Sequence, residues 1–524
     1  MAHAFVRFKK KGQEDKKYKK IYLQTYDAKK KKLKDTREVF WGDYLRYDED
    51  ADTSFLGNGF LQVNWISAGK KTEYYIHEDY TSKDRPLEII FLDVGQGDGA
   101  ILISPESGGE EHVMVMDAGE FGNMHAFLKA RFPYRRGKFN HAIITHPDKD
   151  HYLGFQDIFD DKYMGFDTIY QNGLVERPVS GKFEKVGGLT KDPDNGKFYI
   201  YDLAEDRNYI EKYFSDKSTL GRYVFPKLMY AALNNPNIGD FKTLSIHPDH
   251  CTFENGRSYM PGFAPSDGRE YQIEVLGPVV EEDKNGKKRL ERIDSNYGKT
   301  KNGHSVLLRL QYGQFKIFFG GDLNTRAEKF LLQHYAKLNS FPRSEAKKQQ
   351  MIEDARQWFE SDVMKVCHHG ASDVTDEFMA AVNPACFVIS SGDEEGHVHP
   401  KPDLLGRLGK MGRGESPVIL STELQRSTRA YDGKDKIEEL KNMINNIKVG
   451  ERFGLDTKVR QEIIGKIKDL GKNVETYGAI YLKTDGKTLV TAFKIEQVSL
   501  KKRWFHFEYA MNEKTGEILL KKKK

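Results

Sequence analysis

One stretch constrains this chain more than any other: residues 141–154, His-Ala-Ile-Ile-Thr-His-Pro-Asp-Lys-Asp-His-Tyr-Leu-Gly. Its first part, His141 to Thr145, is apolar and β-branched, which predicts a buried strand. Pro147 lacks the N–H that a central strand needs, so the chain must turn there. His146, Asp148, Asp150 and His151 therefore leave one strand end together, on a single loop. Buried carboxylates are costly unless they are paired or hold a cation. A polar surface loop with two chance histidines would read the same. Histidine beside carboxylate is nevertheless a ligand set for divalent ions, and the spacing points to a metal.

The rest of the chain sets the frame. Its 524 residues suffice for one large or several smaller domains. With 38% hydrophobic and 31% charged residues it reads as a soluble, surface-rich protein. No run of eighteen apolar residues exists, which predicts no membrane span. Lys9 to Lys11 are not followed by an apolar segment, so no secretory signal is expected. Cys251, Cys367 and Cys386 are odd in number and far apart, so they make no disulfide framework. A reducing, cytoplasmic location is the expectation. The net charge is +5, and lysines cluster at 9–20, at 29–34 and at Lys521 to Lys524. Such blocks either steer phosphate polyanions or are solvated, frayed ends.

Residues 1–85 read as a basic, β-rich appendage, dense in aromatics from Phe40 to Trp65, with a linker at Thr81 to Arg85. A main domain spans 86–495. It opens with the strand Leu87 to Val94, the glycine-rich turn Gly95 to Gly99, and strands at Ala100–Ser104 and Val113–Met116. A helix is expected over Asn123–Phe132 and another from Gly154 to Phe159. Residues 172–270 read as an insertion, a lid or substrate wall, with a helix from Leu220 to Asn234. Its string His247-Pro248-Asp249-His250 echoes the central loop, but its flanks are less strand-like and chance is the better reading. Further on come hairpins about Tyr312-Gly313 and Asp485-Gly486, a charged helical region at 326–359, strands at Val363–Cys367, Ala385–Ser390 and Val418–Ser421, and helices at Leu404–Met411, Ile437–Lys448 and Val459–Leu470. Residues 496–524 form a basic C-terminal extension.

Three more polar clusters end apolar strands: Gly320-Gly321-Asp322, Cys367-His368-His369-Gly370 and His397-Val398-His399-Pro400. Here the chain resembles the metallo-β-lactamase superfamily, and within it the hydrolase domain of bacterial competence (DNA-uptake channel) proteins and their soluble relatives. The matching residues are Leu92 to Asp98, Met116 to Gly119, Thr145 to His151, Asn302 to Ser305, Gly321-Asp322, Lys365 to Gly370 and His399-Pro400. The resemblance implies an α/β fold, an αββα sandwich of two mixed β-sheets flanked by helices, with a metal site at one edge. It implies that His146, Asp148, Asp150 and His151 bind two divalent metal ions, Zn2+ or Mn2+. Asp322 would bridge them, and His369, in preference to His368, would complete the second site. His304 sits near where many relatives place another ligand. Asp148 stands where the commoner superfamily loop has histidine, and a carboxylate-rich set keeps manganese beside zinc.

In such a site a water held between two cations loses its proton near neutral pH and becomes the nucleophile. Asp150 could orient it, and His399 or His397 could give a proton to the leaving oxygen. Asp93 and Asp117 could hold ligands by hydrogen bonds. Ser372 could contact a phosphate or cap a helix, and Cys367 reads as a packed thiol. The expected function is a metal-dependent phosphodiesterase or nuclease acting on nucleic acid. The alternatives are a hydrolase of a small ester, lactam or cyclic nucleotide, and a non-catalytic metal-stabilised binding protein. Protein partners and a membrane are not implied.

Overall fold

The computed structural model describes residues 2–67, 70–106, 110–132, 137–392, 399–422, 478–495 and 499–521, with scattered positions between 442 and 464. The expected helices at Ile437–Lys448 and Val459–Leu470 lie largely outside the described residues.

Two mixed sheets carry the main domain. The first has ten strands, in the order 240–243, 164–171, 137–144, 113–118, 99–103, 87–91, 480–484, 489–494, 504–511 and 518–520. The second has eight, in the order 252–254, 257–259, 271–277, 307–312, 315–319, 363–365, 386–389 and 418–421. Strands such as Leu87–Phe91 and Gly99–Ile103 are buried along their whole length. Gly99–Ile103 is a continuous apolar run of the kind that belongs to sheets covered on both faces, and in Leu87–Phe91 the one charge, Glu88, is paired with Arg131 at 3.2 Å. Alternate residues of the two sheets meet between them: Ile89, Phe91, Leu102 and Ile143 pack with Ile273, Leu308, Ile317 and Val388. The opposite residues face helices. Ile101, Val113 and Val115 pack with Met124, Phe127 and Leu128 of helix Asn123–Arg131. Phe318, Met364 and Phe387 pack with Leu331, Phe359 and Phe378 from helices Thr325–Tyr335, Glu345–Phe359 and Asp376–Val382. The fold is an αββα sandwich.

Both expected hairpins form, at Leu307–Tyr312 with Phe315–Phe319 and at Ile480–Thr484 with Leu489–Lys494. The charged region at 326–359 is two helices. Segment 172–270 also contributes a strand, Asp240–Thr243, which pairs in parallel with Met164–Gln171 at the edge of the first sheet. At the other end, Trp504–Met511 pairs along Leu489–Lys494, so the C-terminal segment is part of that sheet.

The N-terminal residues form a separate seven-stranded sheet around Val6, Leu23, Val39, Leu45 and Val63. The expected linker is tied into it: Thr81 and Ser82 pair with Val6 and Phe5. This sheet is anchored on the C-terminal strand, where Phe40 stacks on Trp504 with ring centroids 5.0 Å apart. Lys483 Nζ donates to the Trp41 carbonyl at 2.6 Å. Among the described residues no helix is long and apolar enough to cross a membrane.

Candidate metal centre

Parallel strands 113–118 and 137–144 of the first sheet, and 315–319, 363–365 and 386–389 of the second, all release their carboxyl ends at one edge of the sandwich. That edge is where α/β sheets place their ligands. Asp117 ends one strand, and His146 to His151 follow the next. Asp322 follows the third, His369 the fourth and Ser390 the fifth.

The loop from His146 is held close to the glycine-rich turn. Gly97 has φ +102°, and a Cβ there would lie 1.6 Å from the Asp150 carbonyl oxygen, so only glycine fits. Asp117, His368 and His369 adopt left-handed backbone, with φ of 54°, 51° and 52°. Side chains resist this conformation by roughly 1–2 kcal/mol per residue, and such strain clusters at functional sites.

His151 and His369 meet at the centre. His151 Nδ1 lies 2.8 Å from Asp117 Oδ2. Asp117 also accepts from the Thr145 N–H at 2.8 Å and from its hydroxyl at 2.7 Å. His369 Nδ1 donates to the Ser390 carbonyl at 3.2 Å and has Asp98 Oδ1 at 3.0 Å. With both Nδ1 atoms committed as donors, both Nε2 atoms keep a lone pair. They lie 3.2 Å apart, and each is 3.3 Å from Asp322 Oδ2. The centre of that triangle is about 1.9 Å from each corner, close to the roughly 2.0–2.2 Å of zinc–nitrogen and zinc–oxygen bonds. Asp150 Oδ2 adds a fourth donor, 3.4 Å from His369 Nε2, and is steadied by Gln96 Nε2 at 3.2 Å.

A second group of donors lies beside it. His146 Nε2 is 3.6 Å from Asp148 Oδ2 and 4.0 Å from Asp322 Oδ2, and His368 Nε2 is 3.9 Å from Asp322 Oδ2. His146 Nε2 and Asp322 Oδ1 are buried without a hydrogen-bond partner. Such orphaned atoms fit cation ligands. Asp98, His151, Asp322 and His369 each bring a candidate ligand atom within 4.8 Å of the others. Asp98, however, spends Oδ2 on Lys365 Nζ and turns Oδ1 toward His369 Nδ1, so it supports the ring from behind.

The electrostatics match. Burial works against charging His151 and His369, but Asp322, with Asp117 for the first and Asp98 for the second, outweighs it and holds both pKa values well above the usual. Burial likewise opposes the ionised forms of Asp150 and Asp322, yet the facing imidazoles hold both well below the carboxylate range. The pocket is built to hold positive charge.

The remaining expected residues separate clearly. His304 Nε2 lies 2.8 Å from the Glu291 carbonyl, which takes its ring out of the cluster, and burial pushes its pKa down to about 4. Its neighbour Ser305 is the one that reaches in, accepting from the Asp322 N–H at 3.1 Å and lying 3.4 Å from His146 Nδ1. His399 lies beside His368, ring centroids 6.2 Å apart and planes tilted by 49°. His397 lies outside the described residues. Ser372 donates to Asp403 at 2.7 Å rather than facing the cluster. Cys367 is packed and buried. In the insertion, His247 and His250 are engaged with Glu282 and Glu205.

Two charged partners carried no expected role. Lys365 is a buried ammonium in an otherwise apolar strand, a position that demands a carboxylate, and Asp98 supplies it. Lys301 Nζ sits on Asp148, on Glu176 at 2.8 Å and on the Pro147 carbonyl at 3.1 Å. With its amide oriented to satisfy its neighbours, Asn302 donates to Asp148 Oδ2 at 2.8 Å.

No family model and no curated protein matches this chain. Among solved structures it is similar to Tm1679, a metal-dependent hydrolase of the β-lactamase superfamily, at 10% identity and a TM-score of 0.29, over 64% of this chain and 95% of that one. It is also similar to a variant of the β-hydroxylase CmlA, at 10% identity and a TM-score of 0.28, over 65% of this chain and 52% of that one. At these scores neither likeness adds weight to the site, which stands on the chain's own geometry.

Proposed function

We propose that this chain is a metal-dependent hydrolase that cleaves phosphodiester bonds in nucleic acid. The observation that carries the reading is the meeting of His151 Nε2, His369 Nε2 and Asp322 Oδ2 within 3.3 Å of one another. A divalent cation bound there supplies a lowered pKa to water and neutralises charge on a phosphoryl oxygen. Two nitrogens and two carboxylates suit zinc or manganese. His146, Asp148, Asp322 and His368 are the residues that would hold a second ion. Asp150, held by Gln96, would orient the attacking water by accepting a hydrogen bond from it. His399, beside His368, would give a proton to the leaving oxygen.

Nucleic acid is favoured by the lysine blocks at 9–20 and 29–34 and by the motif resemblance to DNA-uptake hydrolases. A small-molecule substrate is favoured by one feature: Glu176, bonded to Tyr297 and Lys301, walls the site beside Asp148. The test is hydrolysis by metal-loaded protein of single-stranded DNA, duplex DNA, RNA, cyclic nucleotides and a simple ester. Cleavage of a polymer with a KM that climbs steeply with salt supports the reading. Turnover confined to small substrates, or none with metal bound, overturns it.

A further inference from the structure

We propose that the outer face of the N-terminal sheet is a stacking platform for single-stranded nucleic acid. The proposal rests on the nucleic-acid reading above and adds where, and in which form, the strand is held.

The strand register sorts the side chains. Along Ile21–Asp27, Ile21 and Leu23 enter the core, which sends Tyr22, Gln24 and Tyr26 to the other face. Tyr74 and Ile76 are core residues of the neighbouring strand, so Tyr75 and His77 share that outer face. Gln24 pairs with Tyr75, Tyr75 with Gln62, and His77 with Phe60, which sets these residues in adjoining rows. Phe55, on the short turn Ser54–Leu56, leans over them with half its surface exposed. Its ring is 4.9 Å from Tyr26 and 6.0 Å from Tyr75, and Phe60 lies 5.2 Å from His77. A solvated sheet face is normally polar. A row of partly exposed rings there has a use when something stacks on it.

The charge says what. Residues 1–85 contain 19 Lys and Arg against 14 Asp and Glu, a surplus of 5 that equals the surplus of the whole chain, 83 against 78. Four of these lysines, Lys29 to Lys32, are exposed where the chain turns after Asp27 and enters the strand Lys32–Val39. Of the acids on the face, Asp35 accepts from Gln24 at 2.8 Å and Asp48, paired with Gln62, accepts from the Asp50 N–H at 3.2 Å, while Glu38 lies at the end covered by the C-terminal segment, held by Lys20 at 2.8 Å and by the Arg503 N–H. Glu73 is exposed. Rings for bases beside ammonium groups for phosphates are the recognition chemistry of an unpaired strand, because a duplex hides the base faces that stack.

The test is fluorescence anisotropy on the full chain carrying Asp322→Asn, which removes turnover from the measurement. The probes are a labelled 20-mer of thymidylate, a 20-base-pair duplex, and heparin as a polyanion without bases. Phe55→Ala and Tyr75→Leu change exposed or half-exposed rings, and circular dichroism checks that each variant is folded. Each is expected to weaken thymidylate binding about 5- to 100-fold while leaving heparin unchanged. Replacing Lys29 to Lys32 with alanine is expected to weaken both and flatten the salt dependence. Equal affinity for duplex, heparin and thymidylate overturns the platform, as does unchanged thymidylate binding in Phe55→Ala and Tyr75→Leu. Loss of the platform leaves the hydrolase reading standing. Binding without any cleavage by the metal-loaded native chain sinks the hydrolase reading alone.

Discussion

The Nε2 atoms of His151 and His369, 218 positions apart in the chain, face each other at 3.2 Å over Asp322 Oδ2. With both rings neutral, two lone pairs and a carboxylate oxygen repel unless a cation lies among them, and without one, protons on the rings, whose pKa values are held well above the usual, take that place. The purified protein is therefore expected to carry at least one divalent ion per chain, measured by plasma mass spectrometry after dialysis. His369→Ala should lower metal affinity at least on the order of 100-fold. Far-ultraviolet circular dichroism should not change, because His369 sits on an edge loop. Undiminished metal in that variant would remove the centre.

Asp117 has no place among the ligands but holds the His151 ring and the Thr145 backbone. Asp117→Asn keeps the shape and loses the charge. Metal affinity should fall about 10- to 100-fold, as is usual for partners that orient a ligand. A competition titration with a chelating dye measures it. A loss as large as that of His369→Ala would mean that Asp117 binds the ion itself.

Lys301 gives the two halves of the site unequal strength. Burial raises the pKa of Asp148, but His146 and Lys301 bring it down to about 2. A carboxylate already shared with an ammonium attracts a second cation less. The native chain should bind one ion tightly and a second more weakly. Lys301→Met should tighten the second by about tenfold, near 1.4 kcal/mol. The same change leaves Asp148 and Glu176 without their cation, so in chelator the variant should be less stable by about 3 kcal/mol and recover with metal. Isothermal titration and melting curves read the two effects, and a second affinity unmoved by the substitution contradicts the first.

Glu328 is fully buried, accepts from the Thr375 N–H, and burial pushes its pKa up to about 8. In the unfolded chain it ionises near 4.3, so between those values the folded state holds the extra proton. Stability then falls as pH rises from about 4 to 8, by on the order of 5 kcal/mol in all. Glu328→Gln keeps an acceptor for Thr375 and loses the titration. Urea melts should show the variant gaining on the native chain at pH 8 and the gain shrinking toward pH 5. Parallel profiles would place the proton elsewhere.

Much of this protein is written locally. Runs such as Gly99–Ile103, apolar throughout, read as strands covered on both sides, while the two sheets with helices outside were implied by the motif resemblance. Pro147 ends a strand beside four donors, and Gly97 admits the loop that carries them. The directions of the later histidines were decided by the tertiary structure. His368 and His369 follow a buried strand, and His304 ends a short helix just before another such strand. Yet His304 turns to the Glu291 carbonyl, and of two neighbours on left-handed backbone His368 stays at the rim while His369 reaches His151 Nε2 at 3.2 Å. Lys301 and Lys365 were equally hidden, since a lysine's partner can lie anywhere, and theirs lie 153 and 267 positions away. Hydrophobic pattern is a property of neighbours in sequence, whereas the direction of an imidazole or an ammonium depends on which distant strand end is packed beside it.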